Sequence, residues 1–299
     1  MSHPAPGLAL VASLALAGCA TAPVSSPAAP AHSPAAVAPA LPAVPSGMQW
    51  LYGSGESAAS SLQAYRAFRD HVLAAARVRP AESVTLAPGS TLAAPAFLPC
   101  GDRPLAVILD ADETAIQNLG YEYDEAANGR SYDQARWDRW ERTGADKVLP
   151  IPGAVEALQA VRGAGVTVIF ITNRKAANAA FTEQALNHAG VGPARHGETL
   201  FLQGDDALGS GKDGRRARVA ERYCVVAMAG DQLGDFSDLF NAKGLPVAER
   251  RRAAASFGGK WGAGWFMLSN PVYGPSLRGT LDEIFPADRR WKDPQEGSH

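Results

Sequence analysis

The chain has 299 residues, 46% of them hydrophobic and 19% charged, enough apolar material for a sizeable core and too much for a disordered chain. Its 28 Lys and Arg against 30 Asp and Glu give a formal charge of −2, which offers no electrostatic basis for wrapping a nucleic-acid polymer. Three Cys exclude a disulfide scaffold and a four-Cys zinc site, and no apolar run reaches the roughly 18 residues needed to span a bilayer.

An apolar run at residues 8–17 has the length of a signal-peptide core. Leu16-Ala17-Gly18-Cys19 follows it and resembles the lipobox of bacterial lipoproteins, in which the Cys is lipidated and becomes the mature N-terminus. The expectation is a signal peptide at 1–18 and a lipid on Cys19. Ala20 rather than Asp after the Cys suggests the outer membrane. The departure is a first stretch, 1–7, with no Lys or Arg. Residues 20–46 are nearly all Ala, Pro, Ser and Val without a Lys, Arg, Asp or Glu, a composition suited to an extended tether. The folded domain is expected from about residue 47 to 299.

Residues 56–77 carry Leu62, Tyr65, Phe68, Val72 and Leu73 at helical spacing, and Arg79-Pro80 stops the helix. A short apolar strand at 105–109 opens on Asp110. Residues 131–143 read as a helix with Trp137 and Trp140 three apart. Pro152-Gly153 starts a helix to about Val161. The β-branched run 166–171 is a buried strand, and 175–189 a helix closed by Gly190. A strand at 199–202, a helix at 214–222 and strands at 224–229 and 264–268 follow. Strands alternating with helices predict an α/β fold, a parallel sheet with helices on both faces.

In such a sheet, ligands bind beyond the carboxyl ends of the strands. Those ends read Asp110-Ala111-Asp112-Glu113-Thr114, then Thr172-Asn173-Arg174, then a Gly- and Asp-rich loop reaching Lys212, then Gly230-Asp231-Gln232-Leu233-Gly234-Asp235. Three acids, a hydroxyl and a lysine converge on one rim. Crowded carboxylates call for a hard cation with oxygen ligands, and Mg²⁺ fits. With that charge present, a carboxylate can attack phosphorus.

Asp-x-Asp-x-Thr, a Thr, a Lys and Gly-Asp-x-x-x-Asp, in that order, resemble the four signatures of the haloacid dehalogenase (HAD) superfamily. Within it the chain most resembles the class C acid phosphatases, lipoproteins that act as 5′-nucleotidases. Gln63-Ala64-Tyr65, the Trp137–Trp140 stretch, Pro152-Gly153-Ala154-Val155-Glu156, Phe236 and Asn270 with Tyr273-Gly274 carry this resemblance. It implies a HAD-like Rossmannoid sheet with a small helical cap inserted at about 116–150. It makes Asp110 the nucleophile and a Mg²⁺ ligand. Asp112 becomes the general acid/base, offering its backbone carbonyl to the metal. Thr172 and Lys212 hold the phosphoryl group, Asp231 ligates the metal and Asp235 supports the shell. Trp137 and Tyr273 resemble an aromatic pair that stacks on the substrate's base, with Asn173 beside them; a core role for Trp137 stays open, and Trp140 reads as core. The substrate implied is a small phosphomonoester, a nucleoside 5′-monophosphate above all. A homodimer is implied as well. In the superfamily the strands after Cys100 and Cys224 are neighbours, which leaves open a disulfide or two separate buried thiols.

Two departures stand out: Gln117 where relatives often carry an acid, and a long Gly-rich loop at 204–211, which leaves Arg215, Arg216 and Arg218 as alternatives to Lys212. Arg195-His196-Gly197 lacks the context of a histidine acid phosphatase, and Gly209-Ser210-Gly211-Lys212 lacks the first Gly and the Ser/Thr of a Walker loop. Two rival readings remain. One is a phosphatase of phosphosugars or phosphoamino acids, with Trp137 and Tyr273 purely structural. The other is a non-catalytic ligand-binding lipoprotein, which would have no need of a nucleophile.

Overall fold

Residues 43–293 are described in the computed structural model of the chain; the lipobox, Cys19 and most of the tether lie outside them. The described elements are α1 (Ser46–Gly53), α2 (Gly55–Arg77), β1 (Glu82–Leu86), β2 (Phe97–Pro99), β3 (Leu105–Leu109), β4 (Ile116–Gln117), α3 (Leu119–Asn128), α4 (Gln134–Thr143), β5 (Leu149–Pro150), α5 (Ala154–Gly163), β6 (Thr167–Lys175), α6 (Ala179–His188), β7 (Leu200–Gln203), α7 (Asp213–Arg222), β8 (Cys224–Gly230), α8 (Val247–Ser256), β9 (Trp265–Met267) and α9 (Leu281–Ile284).

Five strands pair in parallel in the order β7-β6-β3-β8-β9. The chain winds outward from β3 through β6 to β7, then returns across β3 to β8 and β9. That reversal opens a crevice at the carboxyl ends of β3 and β8.

The pleat sorts side chains between two cores. Val107, Leu109, Val168 and Phe170 face Tyr65, Phe68 and Val72 of α2, Leu158 and Val161 of α5 and Leu186 of α6. Ala106, Ile108, Ile169 and Ile171 face Val219 of α7 and the aromatic group Phe236, Phe240, Phe257 and Trp265. Trp265 is fully buried, stacks on Phe257 at 5.1 Å and donates its indole N–H to the Val84 carbonyl at 2.8 Å. Helices thus cover both faces, as the alternating sequence predicts.

The α2 helix has clear terminal signals. The Ser54 side chain accepts from the Ser57 amide at 3.0 Å, Glu56 sits in the first turn and Arg77 in the last. Cys100 and Cys224 form a disulfide with Cα atoms 4.7 Å apart, which settles the open question of the two thiols. It closes a span of 124 residues and ties the N-terminal ends of β3 and β8 together, a cross-link worth about 2–5 kcal/mol.

Between β3 and α5, β4 pairs antiparallel with β5, with α3 and α4 carried between them. The Trp140 ring lies over Gly144, where any Cβ would collide with it, and packs against the main core.

Several boundaries differ from expectation. The helix expected over 131–143 starts at Gln134, because Asp133 caps it by accepting from the Arg136 amide at 2.7 Å. The strand expected over 166–171 runs on to Lys175, so Thr172-Asn173-Arg174 is strand and not loop. Pairing of Lys175 with Gln203 and burial of Arg174 hold it extended. The helix expected from 175 therefore begins at Ala179. The sequence pattern does not predict helices α1, α3, α8 and α9, the β1–β2 hairpin or the β4–β5 pair.

Candidate active site

Asp110 continues the β3–β8 ladder, its amide donating to the Ala229 carbonyl at 3.0 Å. Its carboxylate is buried, and Oδ1 accepts from Lys212 Nζ at 2.6 Å. Lys212 sits at the N-terminus of α7, where its own amide donates to Asp238 Oδ1 at 2.8 Å. The same ammonium donates to Asp235 Oδ1 at 2.6 Å. Asp235 in turn accepts from the Gln232 amide at 2.9 Å, and it lies so close to Gly230 that a Cβ there would collide with it. Asp231 accepts from Thr114 Oγ1 at 3.0 Å, Asn270 Nδ2 at 2.8 Å and Gln232 Nε2 at 3.0 Å.

Asp110, Asp231 and Asp235 each bring a carboxylate oxygen to within 4.8 Å of the others. Three carboxylates against one lysine leave an excess of negative charge in a buried place. Burial raises the Asp110 pKa well above the ordinary range; Lys212 opposes this, and Asp235 and Asp231 add to it. Asp231 is pushed up to about 7, by burial first and Asp235 next. Burial alone would lower the Lys212 ammonium, but Asp110 and Asp235 outweigh it and hold it above its usual range. An all-oxygen, over-acidic, buried donor set fits a hard divalent cation. The set includes Asp235, expected only as support; the Asp112 side chain is outside it.

These shifts fix a sign. An acid whose pKa is higher folded than unfolded binds its proton more tightly in the folded state. Without metal, the contribution of these acids to stability is therefore greatest below about 4 and is lost as pH rises toward about 7. Chelated protein should melt at a lower temperature at pH 7.5 than at pH 5. Added divalent cation should raise the melting temperature most at the higher pH. A chelated protein whose melting temperature climbs across that range would contradict the shared-cation reading.

Asp112 is held apart from this group. Its Oδ1 accepts from Arg174 Nε and Asn118 Nδ2, both at 2.9 Å, and its Oδ2 from Thr172 Oγ1 at 3.3 Å. Arg174 is 1% exposed and also donates to Asn118 Oδ1 at 2.7 Å. Thr172 Oγ1, expected to face a phosphoryl group, accepts in turn from the Arg174 amide at 3.2 Å.

A cavity of about 940 Å³ opens over the acids and is lined by Asp110, Asp112, Lys212, Asp231, Asn173, Trp137 and Tyr273. Thr172 is not among the lining residues; the other candidate residues of the catalytic and substrate sites reach one space large enough for a small organic ligand. Trp137 donates its indole N–H to Glu141 Oε1 at 2.7 Å and meets Tyr121 edge-on at 4.9 Å. Asn173 spends its amide on the Ser210 carbonyl at 3.1 Å and its oxygen on Arg215 at 2.8 Å. Tyr273 donates to Glu113 Oε2, while Glu113 Oε1 accepts from Tyr52 at 3.1 Å and from the Asn118 amide at 2.9 Å. Glu113 has φ +51°, the left-handed region that a non-glycine residue rarely enters. That turn aims its carboxylate back at Tyr52 and Tyr273.

Arg174, Asn118 and Glu113 were not singled out in the sequence. The alternatives to Lys212 are engaged elsewhere. Arg215 donates to the Thr172 carbonyl at 2.6 Å, Arg216 to the Gly234 and Asp235 carbonyls at 3.0 and 2.9 Å, and Arg218 is exposed.

Residues 58–276 match the family described as HAD superfamily, subfamily IIIB (Acid phosphatase). Among solved structures, the class C acid phosphatase from Bacillus anthracis is similar, with a TM-score of 0.61 and 25% identity over 77% of this chain and 84% of that one. A crystal structure of class C acid phosphatase from the same organism with tungstate bound gives a TM-score of 0.61 at 23% identity, over 80% of this chain and 92% of that one; at that identity the likeness is one of fold.

Proposed function

Because the chain belongs to HAD subfamily IIIB, the acid phosphatases, it is a phosphomonoester hydrolase, and we propose that it acts on nucleoside 5′-monophosphates with Mg²⁺ as its metal. The observation that carries the reading is the Asp110–Lys212 contact at 2.6 Å on the floor of a cavity whose wall holds Trp137 and Tyr273.

Lys212 neutralises one oxygen of Asp110 and leaves the other to attack phosphorus. The new bond joins Asp110 to phosphorus as the bond to the leaving oxygen breaks. Asp112 supplies the proton which that oxygen needs. Asp112 then takes a proton from water, the water attacks phosphorus, and Asp110 is released with inorganic phosphate. Arg174 and Asn118 keep the Asp112 carboxyl oriented two residues from the nucleophile. Asp110, Asp231 and Asp235 would hold the Mg²⁺, which supplies positive charge against the phosphoryl oxygens. An aromatic wall tolerates any base, since each has a π-face, and suits a broad nucleotidase.

The proposal includes a lipid on Cys19 that anchors the domain to the outer membrane. Its support is the Leu16-Ala17-Gly18-Cys19 sequence, outside the described residues. A homodimer is carried over from the resemblance. Phosphate release should be fastest with nucleoside 5′-monophosphates and should vanish on chelation, returning with Mg²⁺. A strong preference for phosphosugars or phosphoamino acids across the same panel would replace the nucleotide reading.

A further inference from the structure

Glu122 lies in the first turn of α3, on the wall of the cavity. It is 4% exposed, and its Oε2 is buried with no hydrogen-bond partner. A buried carboxyl oxygen left unpaired forgoes a hydrogen bond that it made in water, and a ligand that meets it restores one. The terminal torsion of a Glu is broad, so the carboxyl can turn either oxygen to the cavity.

The surroundings say what meets it. Burial first, then the neighbouring acids Glu113 and Glu125, push its pKa up to about 8 against the opposing pull of Arg136, so the carboxyl is mostly neutral at and below pH 7. The neighbouring acids rule out the phosphate end of a substrate, which belongs at Lys212, and point to a donor on the organic part. A cation is disfavoured, because the Glu122 carboxyl is mostly neutral and Arg136 already supplies a positive charge beside it. Neutral O–H donors fit. Two adjacent hydroxyls of a sugar match the two oxygens of one carboxyl group, and in dinucleotide sites an acidic side chain likewise bonds a ribose hydroxyl.

We propose that Glu122 accepts hydrogen bonds from the sugar hydroxyls of the substrate and so selects phosphomonoesters of polyhydroxylated alcohols. The inference rests on the phosphomonoesterase reading and deepens its nucleotide part. Glu122 is then a specificity residue on the wall of the cavity.

The test compares adenosine 5′-monophosphate with its 2′,3′-dideoxy analogue, using wild type and Glu122→Ala. Wild type should favour the hydroxylated substrate in kcat/KM by about tenfold, mostly through KM, the scale of two hydrogen bonds to a neutral carboxyl group. In Glu122→Ala the ratio should collapse to near one. A purely structural role would weaken both substrates alike and keep the ratio, which would overturn the proposal. Should Glu122→Ala fail to fold, the isosteric Glu122→Gln must lower the ratio. Ribose 5-phosphate separates the two layers. If wild type ignores nucleotides but cleaves this sugar phosphate, the nucleotide reading falls alone, and a rise in its KM in the variant decides for Glu122. If Glu122→Ala instead weakens phosphocholine and leaves the ribose contrast intact, the recognised group is a cation and the proposal is wrong.

Discussion

Replacing Asp110 with Asn lowers kcat for p-nitrophenyl phosphate by on the order of 10⁴-fold or more, the scale on which enzymes lose a covalent nucleophile. The substitution keeps the shape of the side chain and its place on the β3–β8 ladder. Lys212 keeps its second carboxylate, Asp235 at 2.6 Å. Burial and the neighbouring acids already disfavour the charged form of Asp110, so removing that charge relieves the chelated protein. Its melting temperature should not fall. Steady-state assays beside thermal melts separate loss of chemistry from loss of fold. Substantial turnover by Asp110→Asn would refute the nucleophile assignment.

The second large effect is at Lys212. Its side chain is 6% exposed and its ammonium bridges Asp110 and Asp235. Lys212→Met leaves two buried carboxylates without their cation, and breaking a buried ion pair from one side costs about 3–5 kcal/mol. Chelated Lys212→Met should therefore unfold at much lower denaturant. A divalent cation, shared among the same carboxylates, should recover part of the loss. Turnover should fall by on the order of 10³, since a preorganised charge at the reacting group is lost. Equal denaturation midpoints for chelated wild type and variant would show that the lysine is not holding the acids together.

The fold was legible where chemistry and local pattern coincide. Four of the five strands of the main sheet are short apolar runs that lead to a polar signature, so spacing puts Asp110 and Asp231 on one rim, while Lys212 competes there with Arg215, Arg216 and Arg218. What escaped depends on contacts distant in sequence. Arg174 reads as one more loop cation, and only the partner 62 residues away, Asp112, makes it a buried anchor. Glu113 reads as an unremarkable acid beside two others; its strained backbone and its bonds to Tyr52 and Tyr273 are tertiary facts. The β1–β2 hairpin lies in an Ala- and Pro-rich stretch with no clean alternation, and it is held by Ser83 bonding to the Val225 carbonyl at 3.0 Å. Helix α3 has no side-chain cap hydrogen bond at its N-terminus, so its start had no local signal.

The central claim is that phosphorus passes through a bond to Asp110. Acid-quenching the enzyme during turnover and sequencing its peptides by mass spectrometry tests this directly. A phosphoryl group on Asp110, present with substrate and lost on chase, is the predicted result. Phosphorylation at another side chain, or none at all while phosphate is being released, would contradict it.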